Sequence, residues 1–306
     1  MEKINKDFLL KMNSIDSQEY QQFEQQRFQQ FKQNPLIQRL INQYQWSDKV
    51  LDDNMIALES MIEAVQRCEG CQGLSFCRQP LKGRVFSVQQ KDGDVVECYQ
   101  DCKYSKEHQS QFAHRQYFDI ADMNEDDFLL DFKNIQLVGE NEEYVKTYMQ
   151  VDHSIDSDKG VYLYGHTGVG KTYLMEALAN EYAKKNQRVC FCRVPLLTQN
   201  FYKAISDQEE LNTLLKRLYR ADVLFLDDIG AGSITAFTRD SLLFPVLDER
   251  LTKNKKTYFT SNFSMEDLAR RYSGLQEAGD SAQVDRLMDR IRALSQVVFL
   301  KGESRR

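Results

Sequence analysis

The sequence predicts an α/β domain with a parallel sheet flanked by helices, preceded by a smaller helical and cysteine-rich region. Three observations carry this. From about residue 128 onward, short apolar runs alternate with helical patterns, which is how a sheet covered on both faces is written. The run at 161–164 breaks into Gly-His-Thr-Gly-Val-Gly-Lys-Thr, and the run at 223–226 ends in Asp227-Asp228.

The chain has 306 residues, 42% apolar and 28% charged, enough for two domains with a substantial core. No apolar run approaches the roughly 20 residues that span a bilayer. The start, MEKINKDFLL, lacks the apolar stretch of a secretory signal. Both point to a cytoplasmic protein without a membrane partner. A net charge of −6 argues against a broad basic surface for duplex DNA. A narrow groove for single strands, built from a few cations and rings, remains compatible with it.

In chain order, residues 18–45 are glutamine-rich, with Tyr20, Phe23, Phe28 and Phe31 spaced to lie near one helical face. Asn34-Pro35 should break that pattern. A second helix is expected over 47–66, where Leu51, Met55, Leu58, Ile62 and Val65 form a stripe.

Five cysteines follow, as Cys68-x2-Cys71-x5-Cys77-x20-Cys98-x3-Cys102. A C-x-x-C pair lets two thiolates converge on one ion, and ligands across a hairpin complete a tetrahedron. Residues 81–96 read as that hairpin, turning at 91–94. The expected ion is a structural Zn²⁺ held by Cys68, Cys71, Cys98 and Cys77, with Cys102 as the alternative to Cys77. His108 and His114 read as solvated. The resulting domains are 1–107, a polar linker at 108–127, and 128–306.

Strands are expected at 161–164, 188–194, 222–227, 256–260 and 296–300. Helices are expected at 171–185, 208–220, 236–252, 264–272 and 282–293. Pro245 falls inside one of these and should kink it. Cys190 and Cys192 alternate onto one face of their strand.

The glycine-rich turn after the first strand matches G-x4-G-K-[ST]. Gly165, Gly168, Val169, Gly170, Lys171, Thr172 and Tyr173 are therefore candidates for binding a nucleoside triphosphate. Backbone N–H groups of such a loop cradle phosphates, the lysine reaches the β and γ groups, and the threonine hydroxyl helps hold Mg²⁺. Asp227 is expected to hold that metal together with Thr172, and Asp228 to polarise the attacking water. Asn262, just past the strand at 256–260, is placed to contact that water. Arg286 and Arg290 share a helical face, and either is suited to a neighbour's γ phosphate in trans. Phe201-Tyr202-Lys203 offers rings beside a cation, with Phe201 and Lys203 the candidate DNA contacts.

Together these segments resemble the AAA+ ATPases and, more narrowly, the bacterial replicative-helicase loaders of the DnaI/DnaC group. The carriers are LYGHTGVGKT at 163–172, LDDIGA at 226–231, Thr-Arg-Asp at 238–240, TSNF at 260–263, RLMDRI at 286–291 and the terminal GESRR. The cysteine module places the resemblance on the DnaI side of the group. It implies an ATPase using ATP and Mg²⁺, with Asn262 as first sensor, Arg290 as arginine finger and Arg286 as its alternative. Arg306 or Arg305 would be the second sensor. Asp228 stands where many AAA+ proteins carry glutamate, which implies slow or partner-stimulated hydrolysis. The implied partners are a DnaB-type helicase hexamer docked by the N-terminal domain, single-stranded DNA, and further copies of the ATPase domain during primosome assembly. One departure is the lack of histidine at 82–86, where such loaders are expected to carry a zinc ligand. Two rivals share the ATPase core or its ligand: a transposition-associated ATPase of the IstB type, and an adaptor that binds ATP without hydrolysing it.

Overall fold

The computed structural model describes residues 17–232, 234–274 and 280–304, so Arg305 and Arg306 lie outside the described residues. The chain divides into two compact units, 1–110 and 111–306.

The first unit holds α1 (Ser17–Lys32), α2 (Pro35–Tyr44), α3 (Asp48–Asp53), α4 (Met55–Arg67), a hairpin of β1 (Arg84–Lys91) and β2 (Asp94–Asp101), and α5 (Lys103–Gln111). Asn34-Pro35 separates the first two helices as expected. The Asn34 side chain accepts from Leu36 N–H, and Pro35 occupies the first turn, where no N–H is needed. The single helix expected over 47–66 is two helices that meet at Asn54. Leu51 and Leu58 of its stripe are buried with Phe31, Ile37, Trp46, Met61 and Val88, while Tyr20 and Phe23 remain exposed. The hairpin turns at Asp92-Gly93, both at positive φ (54° and 95°), the tight turn that Asp-Gly favours.

The second unit is an α/β fold with a six-stranded sheet in the order β3-β5-β6-β7-β4-β8, flanked by helices. The strands are β3 (Phe118–Ala121), β4 (Gly160–Tyr164), β5 (Val189–Arg193), β6 (Val223–Asp227), β7 (Lys256–Ser261) and β8 (Ser295–Phe299). Every neighbouring pair is parallel. The helices are α6 (Glu142–His153), α7 (Lys171–Lys184), α8 (Val194–Ala204), α9 (Gln208–Arg220), α10 (Phe244–Thr252), α11 (Met265–Ser273) and α12 (Asp280–Leu294). Alternate strand residues feed two core layers. Tyr162, Cys190, Cys192, Leu224, Leu226 and Phe259 face one, and Val161, Leu163, Phe191, Phe225 and Tyr258 face the other. Among the described residues, no helix is long and apolar enough to cross a membrane.

Further features differ from the sequence reading. The segment 108–127, read as a linker, carries β3, an edge strand against β5. Four residues set in polar sequence give too short a run for alternation to register. His114, in the same segment and read as solvated, is buried against Asn180 at 3.3 Å, and burial lowers its pKa. The helix expected over 236–252 is a short turn (Ala236–Thr238), a π-helical turn (Arg239–Leu243) and then α10. Pro245 lies in the first turn of α10, so it starts a helix rather than kinking one.

Candidate functional site

The phosphate-loop motif joins β4 to α7 at the C-terminal edge of the sheet, where ligands bind in open α/β folds. Gly168 and Gly170 adopt φ of 88° and 98°, which side chains rarely tolerate. A Cβ on Gly165 would strike the backbone carbonyl of Leu300. The cleft beside the loop has a volume of about 370 Å³ and is lined by Thr167, Gly168, Gly170, Lys171, Thr172, Tyr173, Asp228 and Asn262. That size suits a nucleotide-scale ligand. Gly165 and Val169 do not line it. The Val169 side chain is buried in the core, so only its backbone faces the loop's task. Tyr173 stands exposed at the mouth.

The strand order explains how the remaining polar groups converge. β7 lies between the motif strand β4 and the acid-bearing strand β6, so the residue after β7 falls between the two loops. That residue is Asn262. Its Oδ1 accepts from Lys171 Nζ at 2.7 Å, and its Nδ2 donates to Asp228 Oδ1 at 3.3 Å. Lys171, itself buried, also donates to the carbonyls of Gly165 (3.0 Å) and His166 (2.9 Å).

Asp227 ends β6 and is buried. Its Oδ1 accepts from Thr172 Oγ1 at 2.9 Å and from Thr260 Oγ1 at 2.6 Å. Burial raises its pKa, partly offset by those two hydroxyls. Asp228 has φ of 61° and donates its N–H to Thr260 Oγ1 at 2.8 Å. A left-handed non-glycine residue is a strained conformation of the kind concentrated at active sites. Thr260 thus organises both acids, and the sequence reading missed it. In sequence it stands only as the first residue of the TSNF segment, with no role given to it.

Glu176 was also missed. It lies one turn beyond Thr172 on α7, is buried, and meets Arg193 Nη2 at 3.6 Å. Burial first, then the charges of Asp127 and Asp227, push its carboxyl up to about 7.

Arg290, on α12, is not part of this cleft. Its Nε donates to Asp248 Oδ1 at 2.7 Å, and its guanidinium lies 5.4 Å from the centre of the Phe244 ring. Arg286 is exposed. Phe201 needs correction as a candidate DNA contact, because its ring is buried in the core beneath α8. The exposed ring is Tyr202, 46% accessible and stacked on Phe237 (48%) at 6.1 Å. Lys203 beside it is exposed.

In the first unit, Cys68, Cys71, Cys77 and Cys102 line one cavity, whereas Cys98 does not. The expectation for Cys98 is therefore corrected in favour of Cys102. Cys98 pairs with Ser87 in mid-hairpin, and four residues of strand place it roughly 13 Å from Cys102. Three of the four sulfurs receive N–H donors, Gln79 Nε2 to Cys68 (3.1 Å), Gly83 N to Cys77 (3.3 Å) and Ser105 N to Cys102 (3.4 Å), whereas Cys71 Sγ donates to the Gly73 carbonyl at 3.6 Å. The backbone N–H of Gly83, and then that of Gln79, lower the Cys77 pKa. Those two donors favour the Cys77 thiolate, the form that ligates metal. As they stand, no three or more His, Cys, Asp or Glu among the described residues are arranged to hold a metal ion.

Comparison with known proteins is consistent with this geometry. A family model described as IstB-like ATP binding protein matches residues 94–306. The chain is 28% identical over 271 residues to the replicative helicase loader DnaI of Bacillus subtilis (strain 168), covering 85% of this chain and 86% of that protein. It is 31% identical over 152 residues to the insertion sequence IS21 putative ATP-binding protein of Pseudomonas aeruginosa, covering 50% of this chain and 54% of that one. Among solved structures, a crystal structure of DnaI is similar with a TM-score of 0.54 at 30% identity, covering 61% of this chain and 98% of that one. A putative primosome component from Streptococcus pyogenes serotype M3 is similar with a TM-score of 0.52 at 27% identity, covering 65% and 100%. The family match spans more than half of the sequence, and the chain belongs to the IstB-like ATP-binding proteins.

Proposed function

We propose that this chain is an AAA+ ATPase that loads a ring-shaped replicative helicase onto single-stranded DNA. The observation that carries the reading is the linked set Lys171–Asn262–Asp228 and Thr172–Asp227–Thr260 in one cleft beside a phosphate loop. Backbone N–H groups of 168–172 receive the phosphates of ATP, and Lys171 exchanges its two carbonyl partners for phosphate oxygens. Thr172 and Asp227 would hold Mg²⁺, which would neutralise phosphate charge. The fit is chemical: Asp227 Oδ1 is shared by two hydroxyl donors, while no hydrogen bond reaches Oδ2 from the described residues. Asn262 and Asp228 orient the attacking water, and Asp228 accepts its proton. Aspartate is one methylene shorter than the usual glutamate, which supports slow or partner-stimulated turnover. Arg290 acts on a neighbouring copy's γ phosphate. Tyr202 and Lys203 contact the DNA strand.

Cys68, Cys71, Cys77 and Cys102 would hold a structural Zn²⁺ that would order the first unit, and this unit docks the helicase. The resemblance to DnaI supports this division of labour, because its alignment is longer than the whole second unit and so extends into the first.

The relation to the IS21 protein supports a second reading, an ATPase that serves a transposase. Pull-downs with the host's replicative helicase, with and without ATP, separate the two. Capture of the helicase supports loading, and capture of a transposase instead supports the second reading. For the chemistry, Lys171→Ala is expected to weaken ATP binding about 100-fold, as loss of a charge-assisted phosphate contact of roughly 3 kcal/mol implies. Unchanged ATP binding and loading by Lys171→Ala would sink the mechanism.

A further inference from the structure

The surroundings of Arg290 assign a role to a residue with no part in the cleft. Resting on the reading of Arg290 as the arginine that reaches a neighbouring copy's γ phosphate, we propose that Asp248 is a positioning residue for it, with Phe244 as the platform.

The π-helical turn Arg239–Leu243 precedes α10 and sets its rotation. A π turn inserts a residue and shifts the phase of everything after it. Phe244 and Asp248, four apart, then share a face, and both meet Arg290 on α12. The Phe244 ring packs on the core of the sheet unit, so the platform under the guanidinium is rigid. Asp248 accepts from Nε alone. No hydrogen bond from the described residues reaches Nη1 or Nη2, and these two N–H₂ groups form the fork that matches a phosphate. The Arg290 side chain keeps 30% of its surface accessible. Arg286, a turn earlier on the same helix, has no such clamp among the described residues and is exposed.

An exposed arginine spends its time among many rotamers. One held at Nε and stacked from below has lost most of that freedom before a phosphate arrives. The clamp therefore serves the step in which charge develops on the transferred group rather than the binding of ATP. Its loss lowers kcat and leaves KM nearly unchanged. A contrary role is also definite: if Asp248 held Arg290 away from its target, removing it would raise the rate.

The test uses mixed full-length chains with Mg-ATP and single-stranded DNA. Arg290→Ala chains lack the arginine but keep their own cleft. Lys171→Ala chains lack the cleft's lysine but keep the arginine. Mixing the two is expected to restore hydrolysis, and mixing Arg290→Ala with the double variant Lys171→Ala/Asp248→Asn is expected to restore about 10- to 100-fold less, the cost of misplacing a catalytic group by about an ångström. Asp248→Glu in the same donor is expected to recover most of the rate, and Asp248→Asn alone to keep the wild-type melting temperature and KM. Failure of the Lys171→Ala donor itself overturns the trans reading of Arg290, and this proposal with it. Full restoration by the Asp248→Asn donor, or a faster rate, overturns the positioning role alone.

Discussion

Glu176, buried on α7 one turn beyond Thr172, has an environment that makes stability depend on pH. The fold raises its pKa from an ordinary 4.5 to about 7, chiefly through burial. Between those values the native state holds a proton that the unfolded chain releases, so stability falls as pH rises. The full effect is at most about 3–4 kcal/mol, because each pH unit separating the two values contributes about 1.4 kcal/mol. Without nucleotide or Mg²⁺, urea midpoints of the wild type are expected to fall between pH 5 and pH 8. Glu176→Gln should flatten much of that slope and be the more stable protein above pH 7. Asp122 and Asp227, whose pKa values burial also raises, add to the slope that remains, and His114, whose pKa burial lowers, opposes it. A variant that keeps the wild-type slope would show that Glu176 is ionised throughout. Nothing in the sequence separated Glu176 from the other charged residues of its helix. Lys171, Asp227 and Asn262 were legible because their chemistry is tied to fixed spacings and strand ends. Glu176 and Thr260 matter only through neighbours that are distant in sequence.

Among the elements, Arg250 near the end of α10 acts as a staple. It is wholly buried. Its Nε donates to Thr257 Oγ1, Nη1 to the carbonyls of Leu218 and Ala221, and Nη2 to those of Lys256 and Asp222. One side chain thereby joins the end of α9 to the entries of β6 and β7. Burial lowers its pKa to about 10, so it stays charged at neutral pH, solvated by oxygens rather than paired with a carboxylate. Arg250→Met fills similar space but strands buried carbonyls, each costing about 1–3 kcal/mol when unmet. The expected loss is about 3 kcal/mol or more by denaturant unfolding, with little recovery in Arg250→Lys, whose point charge cannot span the fork. A loss under about 1 kcal/mol would mean those carbonyls find other partners. In sequence, nothing separates Arg250 from the other charged residues of its helix. Five strands were legible at nearly their true bounds, four of them because buried parallel strands are continuous apolar runs, while β8 is an edge strand exposed at Gln296, Val297 and Phe299. β3 and the π turn were not legible, since one is too short and the other depends on the packing of Arg239 and Leu243.

At the scale of the whole chain, the two units have separate cores, and the first is small. Among the described residues its buried apolar cluster amounts to seven, including Phe31, Trp46 and Leu58, and small cores of this kind commonly rely on a further tie. Four thiolates on one zinc would supply it, because metal that binds only the folded form adds its binding free energy to folding. Purified protein is expected to carry about one zinc per chain, as one closed tetrahedral site implies. Calorimetry should resolve two transitions. A strong chelator should abolish or lower the one that belongs to the first unit, and Mg-ATP should raise only the other. The substitutions discriminate between ligand sets more sharply than the metal content does. Cys102→Ser should lose zinc and the first transition together, whereas Cys98→Ser, in mid-strand opposite Ser87, should keep both. Zinc lost from Cys98→Ser but retained by Cys102→Ser would reverse the ligand set, and a chelated protein with both transitions unmoved would remove the metal from the account of how the first unit folds.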